Sequence, residues 1–565
     1  MNLREFFAHW AMVASLETIG RSAHNRLMRL AQSPEDAQRD ALIKIVRLCQ
    51  DTAQGRRFGL ERVHTVDDFR HAVPIQSYED MRPAIEREVA TGTREIAPEI
   101  PLMYARTSGT TGKPKYIPVT PTALRQAKSA QHAMAFVPHA ALGCFAGRVL
   151  GLGGATTEET LARDVPAGAI SGLIYQSMPR FMRAKYLVPP EVFSIEDYEL
   201  KYLVMARLAL AASDISTIAT ANPATILRLM NVIETHWDAL VADVRGCGFH
   251  AMGDIPDAVA REIVPLLRAE PRGGQGNAEV RAAALGLLRR NGGVTLATLW
   301  PEIRAVVTWL GGGCAIAAEA VRKQLPNSAR MVDGGYVSSE LRGTIVVDIE
   351  RNLALPLLGD VFFEFVPVEQ WDAGVRDTKL VHELDEGRDY HIIVTTAAGL
   401  LRYHMNDVMR ASTHIENTPS LGFIRKGRGV TNIVGEKISE DQIHGAVVGN
   451  VFPQPNFYIA LADTPRAVYR LYLEQEDPIL SNGVMAQLLD VKLCELNIEY
   501  AAKRGSGRLA VLEVKILKAG AGLAYHRHCV EIKGQREAQA KVRALQTIEE
   551  FDFDLTPFCI ADARA

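Results

Sequence analysis

A loop of hydroxyl residues and glycines carries the most distinctive chemistry in this sequence. Residues 107–116 read Thr-Ser-Gly-Thr-Thr-Gly-Lys-Pro-Lys-Tyr and lie between two extended segments, residues 101–104 and 116–119. Backbone N–H groups, hydroxyl donors and the lysines Lys113 and Lys115 are the groups that a triphosphate requires. No G-x-x-x-x-G-K-[ST] spacing can be drawn, so this is not the Walker loop. A polar surface hairpin has the same composition, so the loop predicts a phosphate site only if partners lie elsewhere.

Three later stretches contain groups that the rest of a nucleotide would need. Residues 311–313 are glycines after a strand-like segment, and glycines let the backbone approach a ring or phosphate closely. Tyr336 could stack on adenine, and Glu340, four residues later, could hold the Mg²⁺ that accompanies ATP. Asp407 suits the two ribose hydroxyls, and we expect it at a strand end. Taken singly, a tight turn, a surface glutamate and an Asx turn also explain these stretches.

Composition narrows the class of protein. The 565 residues are 47% hydrophobic and 23% charged, which is typical of a globular protein with more than one domain. A net charge of −3, without a Lys/Arg-rich block, gives no support for a nucleic-acid partner. Seven scattered cysteines, never in C-x-x-C spacing, predict reduced thiols in the cytoplasm rather than disulfides or a zinc site. The sequence predicts neither a membrane span nor a signal peptide.

The elements that must position these residues follow from hydrophobic periodicity. Residues 1–50 are helical by pattern, and Pro121 begins another helix. Residues 195–242 predict one long helical region, broken only at Asn222–Pro223. Strand-like segments are residues 148–154, 305–309, 344–347, 361–366 and 391–396. The sequence therefore predicts an α/β fold: a large mixed α/β N-terminal domain whose β-sheets are flanked by helices.

A basic, glycine-rich joint at residues 425–429 marks a change of organisation. The strand-like segments beyond it are residues 457–461, 467–473 and 509–517. Residues 484–503 predict a single helix. We therefore divide the chain into a domain of residues 1–426 and a small α+β domain of residues 427–565.

Taken together, the motifs resemble those of the adenylate-forming superfamily, which includes acyl-CoA synthetases, nonribosomal adenylation domains and luciferases. Residues 107–115 resemble its S-G-T-T-G-x-P-K loop. Residues 336–340 and 401–407 are similar to the Y-x-S-S-E and Y-R-Y-x-x-G-D motifs of one branch. That branch is the auxin-responsive Gretchen Hagen family of acyl acid amido synthetases, in its bacterial-like form. The similarity runs in the same order over nearly the whole chain.

Two residues depart from the motifs of that branch. His404 and Asn406 stand where the family has Arg and Gly before the ribose aspartate. Asparagine tolerates left-handed backbone better than most residues, so we expect the turn to survive. A role for His404 is left open, and the pattern favours a solvated or packed side chain.

The resemblance implies ATP and Mg²⁺ as cofactors, with Glu340 as the metal ligand, Tyr336 against adenine and Asp407 on the ribose. The nucleotide-binding set that it implies is Thr107, Ser108, Gly109, Thr110, Thr111, Gly312, Gly313, Tyr336, Ser339, Asp407 and Arg425. Basic residues at the reacting phosphates would be Lys115, Lys426 and Lys541. Lys541 matches a G-x-x-x-x-Q-x-K pattern of the family, although an exposed helix lysine explains it equally well. The small C-terminal domain would be mobile about a hinge.

The function implied is that of an AMP-forming ligase. It would adenylate a carboxylic acid, release pyrophosphate and pass the acyl group to an amine, expected to be an amino acid. Its partners would be these small molecules, with no nucleic acid or membrane. One alternative is a ligase that passes the same acyl group to coenzyme A or a carrier thiol. Another is a nucleotide-binding regulatory protein that has lost catalysis, which only His404 and Asn406 support. The absence of a G-x-S-x-G elbow disfavours a serine hydrolase.

Overall fold

The computed structural model describes residues 3–107, 114–270, 278–290, 293–311, 314–427, 429–475, 478, 480–522, 524–525, 528 and 544–560. The described chain packs as two units, one drawn from residues 3–107 and 116–425 and the other from residues 114–115 and 426–560. Each unit has its own hydrophobic core. None of the helices in the described ranges has the combined length and apolar character needed to cross a bilayer.

Helices are the most abundant elements of the larger unit, and they form most of its first fifty residues, as the periodicity predicts. The helices are α1 Leu3–Ser15, α2 Arg21–Gln32, α3 Pro34–Cys49, α4 Ala53–Arg57, α5 Val66–Ala72, α6 Tyr78–Thr91, α7 Pro121–Leu142, α8 Ile170–Gln176, α9 Arg180–Arg183, α10 Tyr198–Ala211, α11 Ala224–Thr235, α12 Trp237–Arg245, α13 Asp257–Leu267, α14 Ala278–Arg290, α15 Leu296–Leu299, α16 Ala315–Arg322 and α17 Val368–Asp372. Helix α7 begins at Pro121 as predicted, and the Thr120 side chain caps it by accepting the Ala123 N–H.

The strands of the larger unit form several sheets. They are β1 Met103–Thr107, β2 Lys115–Val119, β3 Arg148–Leu152, β4 Glu159–Thr160, β5 Pro166–Gly168, β6 Ile215–Thr220, β7 Ala305–Thr308, β8 Arg330–Asp333, β9 Thr344–Asp348, β10 Leu353–Pro356, β11 Val361–Pro367, β12 Asp389–Thr396, β13 Tyr403–Ile415 and β14 Thr418–Lys426. The sheets have the strand orders β2-β1-β5-β4, β3-β6-β7-β8, β10-β9 and β11-β12-β13-β14.

One prediction in this unit was wrong: residues 195–242 are not purely helical. Strand β6 lies between α10 and α11 and pairs in parallel with both β3 and β7. Its first four residues, Ile215 to Ile218, are buried, as expected for an inner strand of a parallel sheet covered on both faces. So short a segment, half of it Ser and Thr, cannot be assigned by periodicity alone when helices flank it on both sides.

The sheet of β11 to β14 positions the predicted ribose aspartate. The antiparallel register of β12 and β13 shifts so that His391 faces Val408 whereas Ile393 faces His404. One residue of β12 therefore lies opposite three of β13, which is a bulge. Asn406 in this bulge adopts a φ of +51°, so the prediction that asparagine sustains left-handed backbone here is confirmed. Asp407 lies within β13, not at a strand end as predicted, and the bulge sets its direction.

Replacing Asn406 by valine is expected to destabilise the larger unit by about 1–2 kcal/mol, because a β-branched residue tolerates left-handed backbone poorly. Urea unfolding followed by tryptophan fluorescence measures this, since all five tryptophans precede residue 426. Asn406→Gly is the matched control and should cost less than the valine variant. Equal stability of the valine and glycine variants would contradict the role of the left-handed bulge.

The smaller unit is an α+β arrangement. Its elements are β15 Val430–Thr431, β16 Ile438–Ser439, α18 Glu440–Val447, β17 Phe457–Asp463, β18 Val468–Glu474, α19 Asn482–Leu496, α20 Ile498–Gly505, β19 Glu513–Leu517 and β20 Leu545–Thr547. The main sheet has the order β19-β18-β17-β20. The predicted single helix over 484–503 is two helices, because Asn497 interrupts it. The Asn497 side chain caps α20 by accepting the Tyr500 N–H and donates to the Glu436 carbonyl.

Candidate functional site

The glycine stretch and the tyrosine–glutamate stretch are joined by Asp333, the last residue of β8. Its carboxylate accepts the Leu310 N–H at 3.1 Å and the Gly335 N–H at 2.7 Å. Burial raises the pKa of Asp333, and the two backbone donors oppose that rise. Gly335 adopts a φ of +73°, and a Cβ there would lie 2.5 Å from the Thr344 carbonyl oxygen. The turn before Tyr336 therefore requires glycine at this position.

Tyr336 and Asp407 contact each other although 71 residues separate them. The Tyr336 hydroxyl donates to Asp407 Oδ2 at 2.6 Å, and the two residues are only 7% and 2% exposed. Burial, followed by the Asp407 charge, raises the pKa of Tyr336, so its hydroxyl remains a donor. The ring stacks on Phe423 of β14 with centroids 6.2 Å apart and planes 8° from parallel. Gly343 makes room for it, since a Cβ there would lie 2.5 Å from Tyr336 Cδ1.

A second contact joins the same two stretches. The Tyr403 hydroxyl donates a long hydrogen bond of 3.4 Å to Glu340 Oε1. Burial, followed by the Glu340 charge, raises the pKa of Tyr403. The Ser338 hydroxyl oxygen accepts the Glu340 N–H at 3.2 Å and the Leu341 N–H at 3.3 Å, which holds Glu340 in a tight turn. Ser338 thus fixes the backbone of the half-buried Glu340, and Tyr403 contacts its carboxylate.

A buried ion pair holds the start of β13. Arg402 donates to both carboxylate oxygens of Glu364 on β11, at 2.9 and 3.1 Å, and both side chains are at least nine-tenths buried. Arg402 also donates to the carbonyls of Arg70 and Val73. Its own φ is +44°, a strained conformation that these bonds maintain. Because Tyr403 follows directly, this pair positions the strand that carries Asp407.

His404 is a packed side chain, as predicted. Its ring stacks on Trp371 with centroids 4.0 Å apart, and its Nε2 lies 3.2 Å from His391 Nδ1. Arg376 covers the same indole ring at 3.8 Å from its centroid.

A cavity of about 120 Å³ opens beside the Glu340 turn. Its walls are mostly apolar, and Val119, Ala127 and Ile174 belong to them. The charged groups that line it are Glu340, Arg342 and Asp360, and Asp360 pairs with Arg26 at 3.6 Å. Ser339 adds a hydroxyl. An apolar cavity with few polar groups is typical of a site for a small organic ligand.

The remaining predicted site residues fall into two groups. Thr107 ends β1, Lys115 begins the neighbouring strand β2, and Arg425 and Lys426 end β14. Those that lie outside the described residues are Ser108, Gly109, Thr110, Thr111, Gly312, Gly313 and Lys541. Within the described part of the chain, no three or more metal-ligating side chains are grouped together.

Sequence reasoning assigned no role to Asp333, Phe423 or the Arg402–Glu364 pair. Asp333 precedes two glycines, a pattern shared by ordinary turns. Phe423 and Glu364 lie on strands whose sequences give no sign of which distant residue they face. Such contacts depend on strand order, which local patterns do not contain.

Comparison with family models covers most of the chain. The model of the GH3 family N-terminal domain matches residues 23–329, that of the central domain residues 355–426 and that of the C-terminal domain residues 452–550.

The sequence identity to individual relatives is low. The chain is 25% identical to "Probable indole-3-acetic acid-amido synthetase GH3.1" of Oryza sativa subsp. japonica, over 70% of this chain and 67% of that protein. It is 21% identical to "Jasmonoyl--L-amino acid synthetase GH3.5" of the same organism, over 88% and 90%. The solved structure "AtGH3.15 acyl acid amido synthetase in complex with 2,4-DB" aligns with a TM-score of 0.66 at 19% identity, over 96% of each chain. This likeness confirms the predicted α/β fold with a smaller C-terminal part.

Proposed function

The chain belongs to the GH3 family, and from that premise we propose that it is an ATP-dependent acyl acid amido synthetase. It activates a carboxylic acid as an acyl-adenylate, with release of pyrophosphate, and then transfers the acyl group to the amine of an amino acid. Relatives named for indole-3-acetic acid and for jasmonoyl–amino acid products support amide formation as the reaction class.

The observation that carries this proposal is the pair of contacts between two distant stretches. Tyr336 reaches Asp407, and Tyr403 reaches Glu340, so that an aromatic ring and two carboxylates are assembled in one buried region. This is the set that the adenosine half of ATP and a magnesium ion would use. Asp407 would hold the ribose hydroxyls, and Tyr336 would lie against adenine.

The residues present fit a magnesium ion. Mg²⁺ is usually bound by one or two carboxylates together with phosphate oxygens and water, so a single half-buried Glu340 at a cavity wall suffices. When bound, the ion supplies neutralisation of phosphate charge. The neighbouring Ser339 hydroxyl, which also lines the cavity, is available to orient a phosphate or the acid.

The phosphate-binding part of the site is proposed from the motifs. The hydroxyl loop, comprising Thr107, Ser108, Gly109, Thr110 and Thr111, would restrain the phosphates together with Lys115. Gly312 and Gly313 would allow close approach of the backbone. Arg425, Lys426 and Lys541 would stabilise negative charge at the α-phosphate as the carboxylate attacks it. The rate enhancement would come from positioning the acid against ATP and from neutralising charge, rather than from a covalent nucleophile.

We also propose that the apolar cavity beside Glu340 binds the acyl acid. The acid's carboxylate would lie at the Glu340 end, and its hydrocarbon part would lie against residues such as Val119 and Ile174.

The domain boundary at 426/427 would act as a hinge, with the small domain rotating between adenylation and amide formation. The six described cysteines form no disulfide, which supports a reducing compartment such as the cytoplasm.

ATP–pyrophosphate exchange with a panel of carboxylic acids tests the first half-reaction. The acid that supports exchange is then incubated with single amino acids, or with coenzyme A, and the product is identified by mass spectrometry. Amide product supports the proposal, whereas a thioester would assign the chain to the thiol-ligase alternative. If folded wild-type protein catalyses no pyrophosphate exchange with any acid, the regulatory alternative is favoured.

Replacing Tyr336 by phenylalanine is expected to raise the KM for ATP in the exchange assay by roughly 10-fold. The change keeps the ring on Phe423 but removes the hydroxyl that donates to Asp407, and a hydrogen bond to a charged group contributes about 1.5–3 kcal/mol. Tyr390→Phe is the matched control, since it removes a tyrosine–aspartate bond, to Asp385, from the same sheet. An unchanged KM for ATP in Tyr336→Phe would argue against the role of this pair.

A further inference from the structure

Arg342 lines the cavity beside Glu340, and no ion pair joins it to a carboxylate of the described residues. Asp360 lines the same cavity but pairs with Arg26 at 3.6 Å. Its guanidinium nitrogens contact two neutral acceptors of α7, Gln131 Oε1 at 3.0 Å and Met134 Sδ at 3.0 Å. A thioether is a weak acceptor, and guanidinium has five N–H donors, so most of its hydrogen-bonding capacity is left for other groups.

The charge on this side chain persists at neutral pH. Desolvation lowers the pKa of Arg342 to about 10, which still leaves the guanidinium protonated at pH 7. Arg342 is half-buried, and a cation that is partly removed from water without a counter-ion is costly, so such groups are normally paired. Elsewhere in this chain the buried Arg402 follows that rule, because Glu364 neutralises it.

The position of Arg342 relative to Glu340 limits what an anion here would be. The two residues lie on one tight hairpin, in which Val337 bridges to Arg342. Both side chains line the same small cavity. The cavity of about 120 Å³ is several times the roughly 10–15 Å³ that one water molecule needs, so it admits a small organic ligand.

We propose that the acid activated by this enzyme is a small dicarboxylic acid, whose second carboxylate pairs with Arg342 while the first is adenylated at the Glu340 end. This inference rests on the proposed function, since it identifies the substrate class of that same cavity. The planar guanidinium fork matches a carboxylate in bidentate geometry, and the apolar wall between the two polar ends accommodates a short hydrocarbon spacer.

Calorimetric titration with matched acids tests the pairing without requiring turnover. Glutarate and valerate have the same carbon chain, as do adipate and hexanoate, and phthalate and benzoate share a ring. For the matched acids that fit the cavity, we expect wild-type protein to bind the diacid roughly 10- to 100-fold more tightly than the monoacid. This factor corresponds to the free energy that a charge-assisted hydrogen-bonded pair contributes. Arg342→Gln should remove that preference, and Arg342→Lys should retain part of it.

A second variant keeps the arginine in place. Gln131→Glu would place a carboxylate against Arg342 from α7, and we expect it to abolish the diacid preference while leaving the fold intact. Arg351→Gln is the control, since this exposed arginine pairs with Asp348 outside the cavity. Equal binding of diacids and monoacids by wild-type protein, or a preference that survives in both Arg342→Gln and Gln131→Glu, would overturn the inference.

Pyrophosphate exchange with the same acids separates this inference from the proposed function. A diacid preference in binding without exchange would refute acid activation but leave the Arg342 pairing intact. Exchange with monoacids alone would uphold acid activation and overturn the diacid assignment.

Discussion

Replacing Glu340 by alanine is expected to lower the rate of ATP–pyrophosphate exchange by at least roughly 10²- to 10³-fold. Glu340 is the carboxylate proposed to hold Mg²⁺, and losing one preorganised charge-stabilising group commonly has an effect of this size. The alanine removes the acceptor of the Tyr403 hydrogen bond but leaves the turn held by Ser338, so the fold should persist. Exchange measured over a range of Mg²⁺ concentrations provides the readout.

Glu350→Ala is the matched control for that variant, because Glu350 is an exposed carboxylate a short distance along the same chain segment. We expect it to retain wild-type exchange. Glu340→Asp, which keeps the charge on a shorter side chain, should fall between the two and require more Mg²⁺. Full exchange activity in Glu340→Ala would remove Glu340 from the metal site.

Replacing Arg402 by alanine is expected to destabilise the larger unit by about 3–5 kcal/mol. Arg402 is 6% exposed and donates to both oxygens of Glu364, which is 1% exposed, so the substitution leaves a buried carboxylate without its principal partner. Arg70 and the Thr378 hydroxyl also contact Glu364 and will recover part of the loss. Urea unfolding monitored by tryptophan fluorescence follows the larger unit specifically, since all five tryptophans precede residue 426.

Arg410→Ala on the same strand provides the comparison. Arg410 pairs with Asp389, but its side chain is 48% exposed, and exposed pairs contribute about 0–1 kcal/mol. The double variant Arg402→Met with Glu364→Leu should be more stable than Arg402→Ala, because no charge is then left buried. If Arg402→Ala and Arg410→Ala lower the free energy of unfolding by the same amount, burial of the Arg402–Glu364 pair does not explain its contribution to stability.

Much of the fold could be predicted because its signals are local. Periodicity located the helices of the first fifty residues and most strands, and Pro121 marked the start of α7, since proline favours a first turn. Strand β6, Ile-Ser-Thr-Ile-Ala-Thr, was missed because a short segment of mixed apolar and hydroxyl residues between two helices has no clear period of its own. The break at Asn497 was missed because capping by a side-chain amide depends on where the next helix is directed.

By itself, the sequence determined the family and the set of chemical groups: four motifs, in order, carry the hydroxyls, the aromatic ring and the carboxylates that ATP and Mg²⁺ would need. Their types and spacing can be read from the sequence because each motif is a short, continuous stretch. Tertiary structure alone decided which of these groups meet. Tyr336 reaches Asp407 only because β13 bulges at Asn406, and Glu340 reaches Tyr403 only because the Arg402–Glu364 pair holds the start of that strand. It also placed Arg342 at a cavity without a carboxylate partner in the described chain, since pairing between residues far apart depends on strand order and packing, which no local pattern records.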